Sequence, residues 1–114
     1  MGELSPAALR AVDDAVRAVV GHDDERLRVI APDVGDLYVW TRDYGTYGDV
    51  ELVIPPGDPA EWSIDVVDTV DGGKSVDVEM WTKQEGRSDL TLELELQEVA
   101  PDEWEPRIRN LHVM

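Results

Sequence analysis

Leu90-Thr91-Leu92-Glu93-Leu94-Glu95-Leu96-Gln97 alternates apolar and polar residues without a break. Period two marks a β-strand with one face buried and one face wet. The stretch predicts Leu90, Leu92, Leu94 and Leu96 pointing inward, and Thr91, Glu93, Glu95 and Gln97 pointing outward. It decides the fold, because four leucines on one sheet face need something to cover them. Upstream, Val76, Val78 and Met80 alternate with Asp77, Glu79 and Trp81. Keeping apolar positions opposite one another sets Met80 against Leu90, Val78 against Leu92 and Val76 against Leu94. Asp77 then stands opposite Glu93, where like charges repel. Asp71-Gly72-Gly73-Lys74 predicts a hairpin turn back to a strand carrying Trp62, Ile64 and Val66. Before that, Val50, Leu52 and Ile54 alternate until Pro55-Pro56 stops them. On the far side, a turn at Pro101-Asp102 leads into a last strand, 105–113.

The cover is sought in the N-terminal part. Ser5 and Pro6 suit the cap and first position of a helix. Leu9, Val12, Val16 and Val19 share one face of it, and Gly21 stops it. Arg10–Asp14 and Asp13–Arg17 are four apart on the opposite face. Asp23 or Asp24 begins a shorter helix striped by Leu27 and Ile30 and ended at Pro32. Val34, Leu37, Tyr38, Thr41 and Tyr44 fit a third helix over 33–44, although Leu37-Tyr38-Val39-Trp40 also reads as a strand. We favour the helix. The expectation is one α+β domain over 1–114, with two or three N-terminal helices packed on a curved, cone-like antiparallel meander of four to five strands.

The chain has 114 residues, of which 42% are hydrophobic, enough to bury a core. It carries no cysteine, which excludes disulfides, thiolate catalysis and cysteine-ligated zinc. The net charge is −16, from 26 acids against 10 bases. Such a surface repels nucleic acid and anionic lipid and favours cationic partners. No apolar run approaches the roughly 20 residues of a membrane span, and Met1-Gly2-Glu3-Leu4-Ser5-Pro6 lacks a signal-peptide core. A cytoplasmic location is expected, without nucleic-acid or membrane partners.

Helices followed by a bent meander ending in Arg107-Ile108-Arg109-Asn110-Leu111-His112-Val113 resemble the cone-shaped fold of nuclear-transport-factor-2-like proteins. Trp81-Thr82-Lys83-Gln84-Glu85-Gly86-Arg87-Ser88-Asp89-Leu90-Thr91-Leu92 is similar to the signature of a small uncharacterised bacterial domain family. The cone resemblance implies a fold shared by isomerases, hydrolases, cyclases, transport adaptors and immunity-type binders, so it leaves function open.

Two functions compete. In the first, the chain is a non-catalytic binding protein of immunity or inhibitor type. Asp77, Glu79, Glu93 and Glu95 form an acidic outer sheet face, with Glu93 and Glu95 roughly 6.6–6.8 Å apart along the strand, close to the phosphate spacing of a nucleic-acid strand. Trp81, Glu85, Arg87 and Asp89 form a recognition patch beside it, since Trp and Arg dominate binding hot spots. A basic protein is the expected partner. The same face also suits a homodimer if a second copy supplies Arg107 and Arg109 to neutralise it.

In the second, a cone-fold enzyme or carrier of isomerase or hydrolase type binds a small hydrophobic molecule. Setting Val66 against Met80 and Val70 against Val76 lands Asp68 inward, opposite Val78, unless a bulge turns it out. A buried carboxylate has a raised pKa and suits acid–base work. Its companion would be His112, with Asn110, Trp62 and Tyr38 lining the interior. The last strand has two phases. One sets Ile108 opposite Leu96, with Arg109 opposite Glu95 and Asn110 and His112 inward; the other points Leu111 and Val113 inward and His112 out. Charge pairing favours the first and hydrophobicity the second. No cofactor or metal is expected: Asp65, Asp68 and Asp71 lack calcium-loop spacing, and no zinc spacing surrounds His22 or His112.

Overall fold

The computed structural model describes residues 4–32, 51–83 and 86–113, the side chains of residues 89 and 113 excepted. The helix expected over 33–44, with Tyr38, lies outside the described residues, as do Val50 and Glu85.

Helix α1 spans Pro6–Val20. The Ser5 hydroxyl accepts the Ala8 N–H at 3.1 Å, and Pro6 fills the first turn as expected. Its buried stripe is Ala8, Ala11, Val12, Ala15, Val16, Ala18 and Val19. This is wider than the valine row alone, because small alanines flank it and let the helix lie close on the sheet. Leu9 is only half-buried at the margin of that stripe. Asp13 pairs with Arg17 at 2.8 Å, but Asp14 turns to Arg26 of the next helix instead of Arg10. That helix, α2, spans Asp24–Ile30 and is capped by Asp23, whose carboxylate accepts the Arg26 N–H.

The strands are β1 (Leu52–Val53), β2 (Ile64–Asp68), β3 (Lys74–Thr82), β4 (Gly86–Ala100) and β5 (Glu103–Val113). They form one antiparallel sheet in the order β1-β3-β4-β5, with β2 also on β3. The sheet curls into a half-barrel; the described residues alone carry five strands, and the expected four to five is too few. β1 and β2 lie end to end along the same side of β3. Between them the chain leaves the sheet through Pro55-Pro56 and a single 3-10 turn, Pro59–Glu61. The core lies between α1 and the inner sheet face. It contains Val76, Val78, Met80, Leu90, Leu92, Leu94, Leu96, Ile108 and Leu111, each at most 2% exposed.

The register departs from expectation in three places. The β2–β3 hairpin is shifted by four residues, with Ile64 opposite Val78, Val66 opposite Val76 and Asp68 opposite Lys74. The cause is the loop. Thr69 N–H donates to Gly73 O and Gly72 N–H to Thr69 O, closing a three-residue loop, Val70-Asp71-Gly72. Gly72 takes φ +87, the left-handed residue that such a loop requires.

Second, Met80 does not face Leu90 directly. Glu79 pairs with Thr91 but Trp81 with Arg87, so β4 carries two extra residues there. Two extra residues preserve the inward phase, and both Met80 and Leu90 are fully buried. Ser88, 4% exposed, mends the interrupted ladder. Its hydroxyl donates to Met80 O at 2.9 Å and accepts the Leu90 N–H at 3.2 Å.

Third, the two phases of the last strand coexist. Ile108 faces Leu94 and Leu111 faces Leu92, because Arg109 bulges out between them. One extra residue reverses the alternation. The strand therefore buries an even-numbered and an odd-numbered apolar residue, and His112 points outward opposite Thr91.

Candidate functional site

Direct cross-strand partners share a face. The outer face therefore carries a straight row of Asp65 on β2, Asp77 on β3, Glu93 on β4 and Asn110 on β5. Three successive strands each place a carboxylate in it. Glu79 N–H donates to Ser63 O across β2–β3. Residues 63, 65 and 67 of β2 thus occupy hydrogen-bonded positions against β3, Asp65 with Asp77 among them. The Asp77–Glu93 pair is then the closer, non-hydrogen-bonded kind, with Cα atoms about 4.5 Å apart. The electrostatics agree. Partial burial raises the Asp77 pKa, then the Glu93 charge, while His112 lowers it and Asp65 adds a smaller upward push.

Among the described residues the flanking acids are paired with arginine, whereas the row itself meets only His112. Arg87 pairs with Glu79 at 3.2 Å, Arg109 binds Glu95, and His112 Nε2 lies 3.3 Å from Glu93. Trp81 joins this rim on the outer face opposite Arg87, with its ring edge against Gly86. Asp77, Glu79, Trp81, Arg87, Glu93 and Glu95 are thus brought together. Glu85 and the Asp89 side chain lie outside the described residues. Asp65 was missed as a member because the hairpin register was read four residues off. The signal was available: Gly72 as the left-handed third residue of a three-residue loop places Asp65 opposite Asp77.

Asp68 and His112 are not brought together. Asp68 ends β2 with its side chain 62% exposed and bound to Lys74 Nζ at 2.6 Å. The Lys74 hydrogen bond and charge lower its pKa, the reverse of the shift expected for a buried acid. Its face is the inner one, beyond the helices, whereas His112 is on the outer face. Five residues of β3 separate their rows, about 17 Å. Asn110 is exposed and Trp62 buried. A hollow of about 450 Å³ opens at the β5 side between Arg26, Val29, Glu95, Glu105 and Arg107, and it contains none of these candidates.

Among the described residues no group of His, Asp or Glu side chains is arranged to hold a metal ion, and no helix is long and apolar enough to cross a membrane. Residues 13–114 match the model of a family described as a domain of unknown function (DUF7668). No curated protein and no solved structure matches the chain.

Proposed function

We propose that this chain, which belongs to the DUF7668 domain family, is a non-catalytic binding protein of immunity or inhibitor type that presents its acidic outer sheet face to a basic partner. The curled sheet under two helices is compatible with a nuclear-transport-factor-2-like cone, and that architecture serves here as a rigid support. The observation that carries the reading is the Asp65–Asp77–Glu93 row. Like charges directly opposite one another on adjacent strands destabilise a sheet. A sequence under pressure for stability alone would break the row with Thr, Lys or Arg. This one places its arginines at the rim and leaves carboxylates in the centre, where a partner's Lys or Arg relieves the repulsion on docking. Steered encounter with such a partner is fast and weakens with salt.

The test is affinity capture from an extract of the source organism at low and high salt. The bait is the wild-type chain or the Asp77→Lys/Glu93→Lys double variant. The reading expects a basic protein retained by the wild type at low salt and lost both at high salt and with the variant. Capture indifferent to salt and to charge reversal would overturn it.

A further inference from the structure

Among the described residues the acid row ends at a sheet edge, and that edge carries a second, independent set of binding features. β2 pairs with β3 on one side only, and no described element pairs with its other side. Glu79 N–H donating to Ser63 O and Thr69 N–H donating to Gly73 O fix the alternation. Ser63, Asp65, Val67 and Thr69 direct their backbone groups at β3, so Ile64, Val66 and Asp68 direct theirs away from it. Among the described residues these donors and acceptors have no strand beside them, and such an edge is a template for one more strand.

The two faces of this edge differ in chemistry. On the outer face Asp65 is exposed and begins the carboxylate row. On the inner face, half-buried Ile64 and Val66 border an apolar groove of about 310 Å³, walled also by Leu4, Leu9, Pro59 and Trp62. α1 contributes one wall and the 3-10 excursion before β2 the other. Trp62 is 7% exposed, and its indole N–H is buried without an acceptor. Buried donors are rarely left unmatched, and Trp62, which lines the groove, carries one.

We propose that the open edge of β2 takes up an extended segment of the basic partner as an added strand, with Lys or Arg alternating with Val, Ile or Leu. This rests on the acidic-face reading above and specifies how the partner engages it. Backbone bonds form to the N–H and C=O groups of Ile64 and Val66. Alternate side chains of the added strand fall on opposite faces. Cationic residues extend the Asp65–Asp77–Glu93 row, and their apolar neighbours enter the groove. A second copy of this chain does not suit the edge. It would bring its own Asp65 and Asp68 and a net charge of −16 to a surface of the same sign. Short edges flanked by acids are a known defence against self-pairing.

The experiment uses the full chain, ¹⁵N-labelled, and three capped octapeptides of equal charge and composition. One alternates Lys and Val, the second segregates them into blocks, and the third alternates them but carries N-methyl groups on every second residue. The readouts are amide hydrogen exchange at Ile64 and Val66 and the indole resonance of Trp62, assigned with Trp62→Phe. The proposal expects the alternating peptide to slow exchange at both amides by roughly tenfold or more and to shift the indole signal. The block and N-methylated peptides should do neither. Asp65→Lys, at an exposed position, should weaken the alternating peptide without changing the fold. Equal binding of all three peptides without protection at Ile64 and Val66 would overturn strand addition and leave the acidic-face reading standing. Failure of every peptide to bind at low salt would overturn both. Protection of the same amides that grows with protein concentration in the absence of peptide would assign the edge to a second copy and overturn the partner assignment.

Discussion

The two faces of one sheet offer the sharpest contrast in the molecule. One row across the strands reads Val66, Val76, Leu94, Ile108; the next reads Asp65, Asp77, Glu93, Asn110. Their members are adjacent in sequence on β2, β3 and β4, and two apart on β5, where Arg109 bulges between them. The first row faces α1, and Val76 and Leu94 are completely buried. The second faces outward and sets carboxylate against carboxylate. The backbone ladder is common to both, so the difference lies in what each face meets. The inner face is filled by its own chain and holds the fold together. The outer face sets like charges against one another along the Asp65–Asp77–Glu93 row, with Arg87, Arg109 and His112 at its flanks.

That contrast can be broken most forcefully from inside. Leu94→Ala empties a site of zero exposure under α1. It should lower stability by about 2–5 kcal/mol, measured as the midpoint shift in urea unfolding. A loss below 1 kcal/mol would mean the inner face is not the packed core described.

Ser88→Ala is expected to be next. It leaves Met80 O and the Leu90 N–H without their hydroxyl partner inside the β3–β4 bulge. A loss of about 1–3 kcal/mol is expected, and the Leu90 amide should exchange faster.

Losing the N-cap is a smaller effect. The Ser5 hydroxyl accepts from Ala8 and donates to Asp102, at 2.6 Å, pinning α1 to the β4–β5 turn. Ser5→Ala should cost about 1 kcal/mol, visible as fraying of the first helical turn in hydrogen exchange.

On the outer face the sign reverses. Asp77→Asn should stabilise the chain at neutral pH by about 0.2–1 kcal/mol while weakening capture of the proposed basic partner. Burial first, then Glu93, raises the Asp77 pKa. Between the unfolded and native pKa values the native chain therefore binds more protons than the unfolded chain. The destabilisation is complete above the native value and fades as pH falls towards the unfolded one. The gain from Asp77→Asn should shrink on acidification, followed by thermal melts from neutral to acid pH. Asp68, Asp71 and Asp102 carry the opposite shift, from Lys74, Thr69 and Ser5 respectively. Their stabilisation is present above the unfolded carboxylate pKa and is lost as pH falls through the lower native values. A stabilisation by Asp77→Asn that grew on acidification would contradict the assignment.

The smallest expected effect is Arg87→Ala. The Arg87 side chain is 69% exposed in its pair with Glu79, and exposed pairs contribute little. Stability should change by no more than about 0.5 kcal/mol.

Much of the inner face was legible in the residues. The leucines of 90–96 and Val76 and Val78 announce their side by period two, and the Ser5-Pro6 start and Gly21 stop of α1 follow from capping chemistry. The opposition of Asp77 and Glu93 was also legible, since pairing apolar residues on one face aligns the polar ones on the other. Membership of a domain family of unknown function agrees with the resemblance carried by 81–92 only at that coarse level. Asp65 was not recognised, because the hairpin loop is three residues long and the alternation alone fits several registers. Asp68 was expected inside for the same reason: a shift of four residues preserves its face but moves it along the strand, past the helices, to Lys74.

The sequence by itself determined which residues face inward along β2, β3 and β4, because side chains alternate and apolar groups leave water. It determined the helix caps as well, because the first turn of a helix needs acceptors for its free N–H groups. Only the tertiary structure decided the register of β2 on β3 and the places where the β3–β4 and β4–β5 ladders slip. Register is set by the loop that joins two strands and by the bulges within them, and neither leaves a trace in the alternation. Arg109 shows this most plainly. One bulged residue lets Ile108 and Leu111 both enter the core and turns His112 out towards Glu93, a result that no single phase of the strand permits.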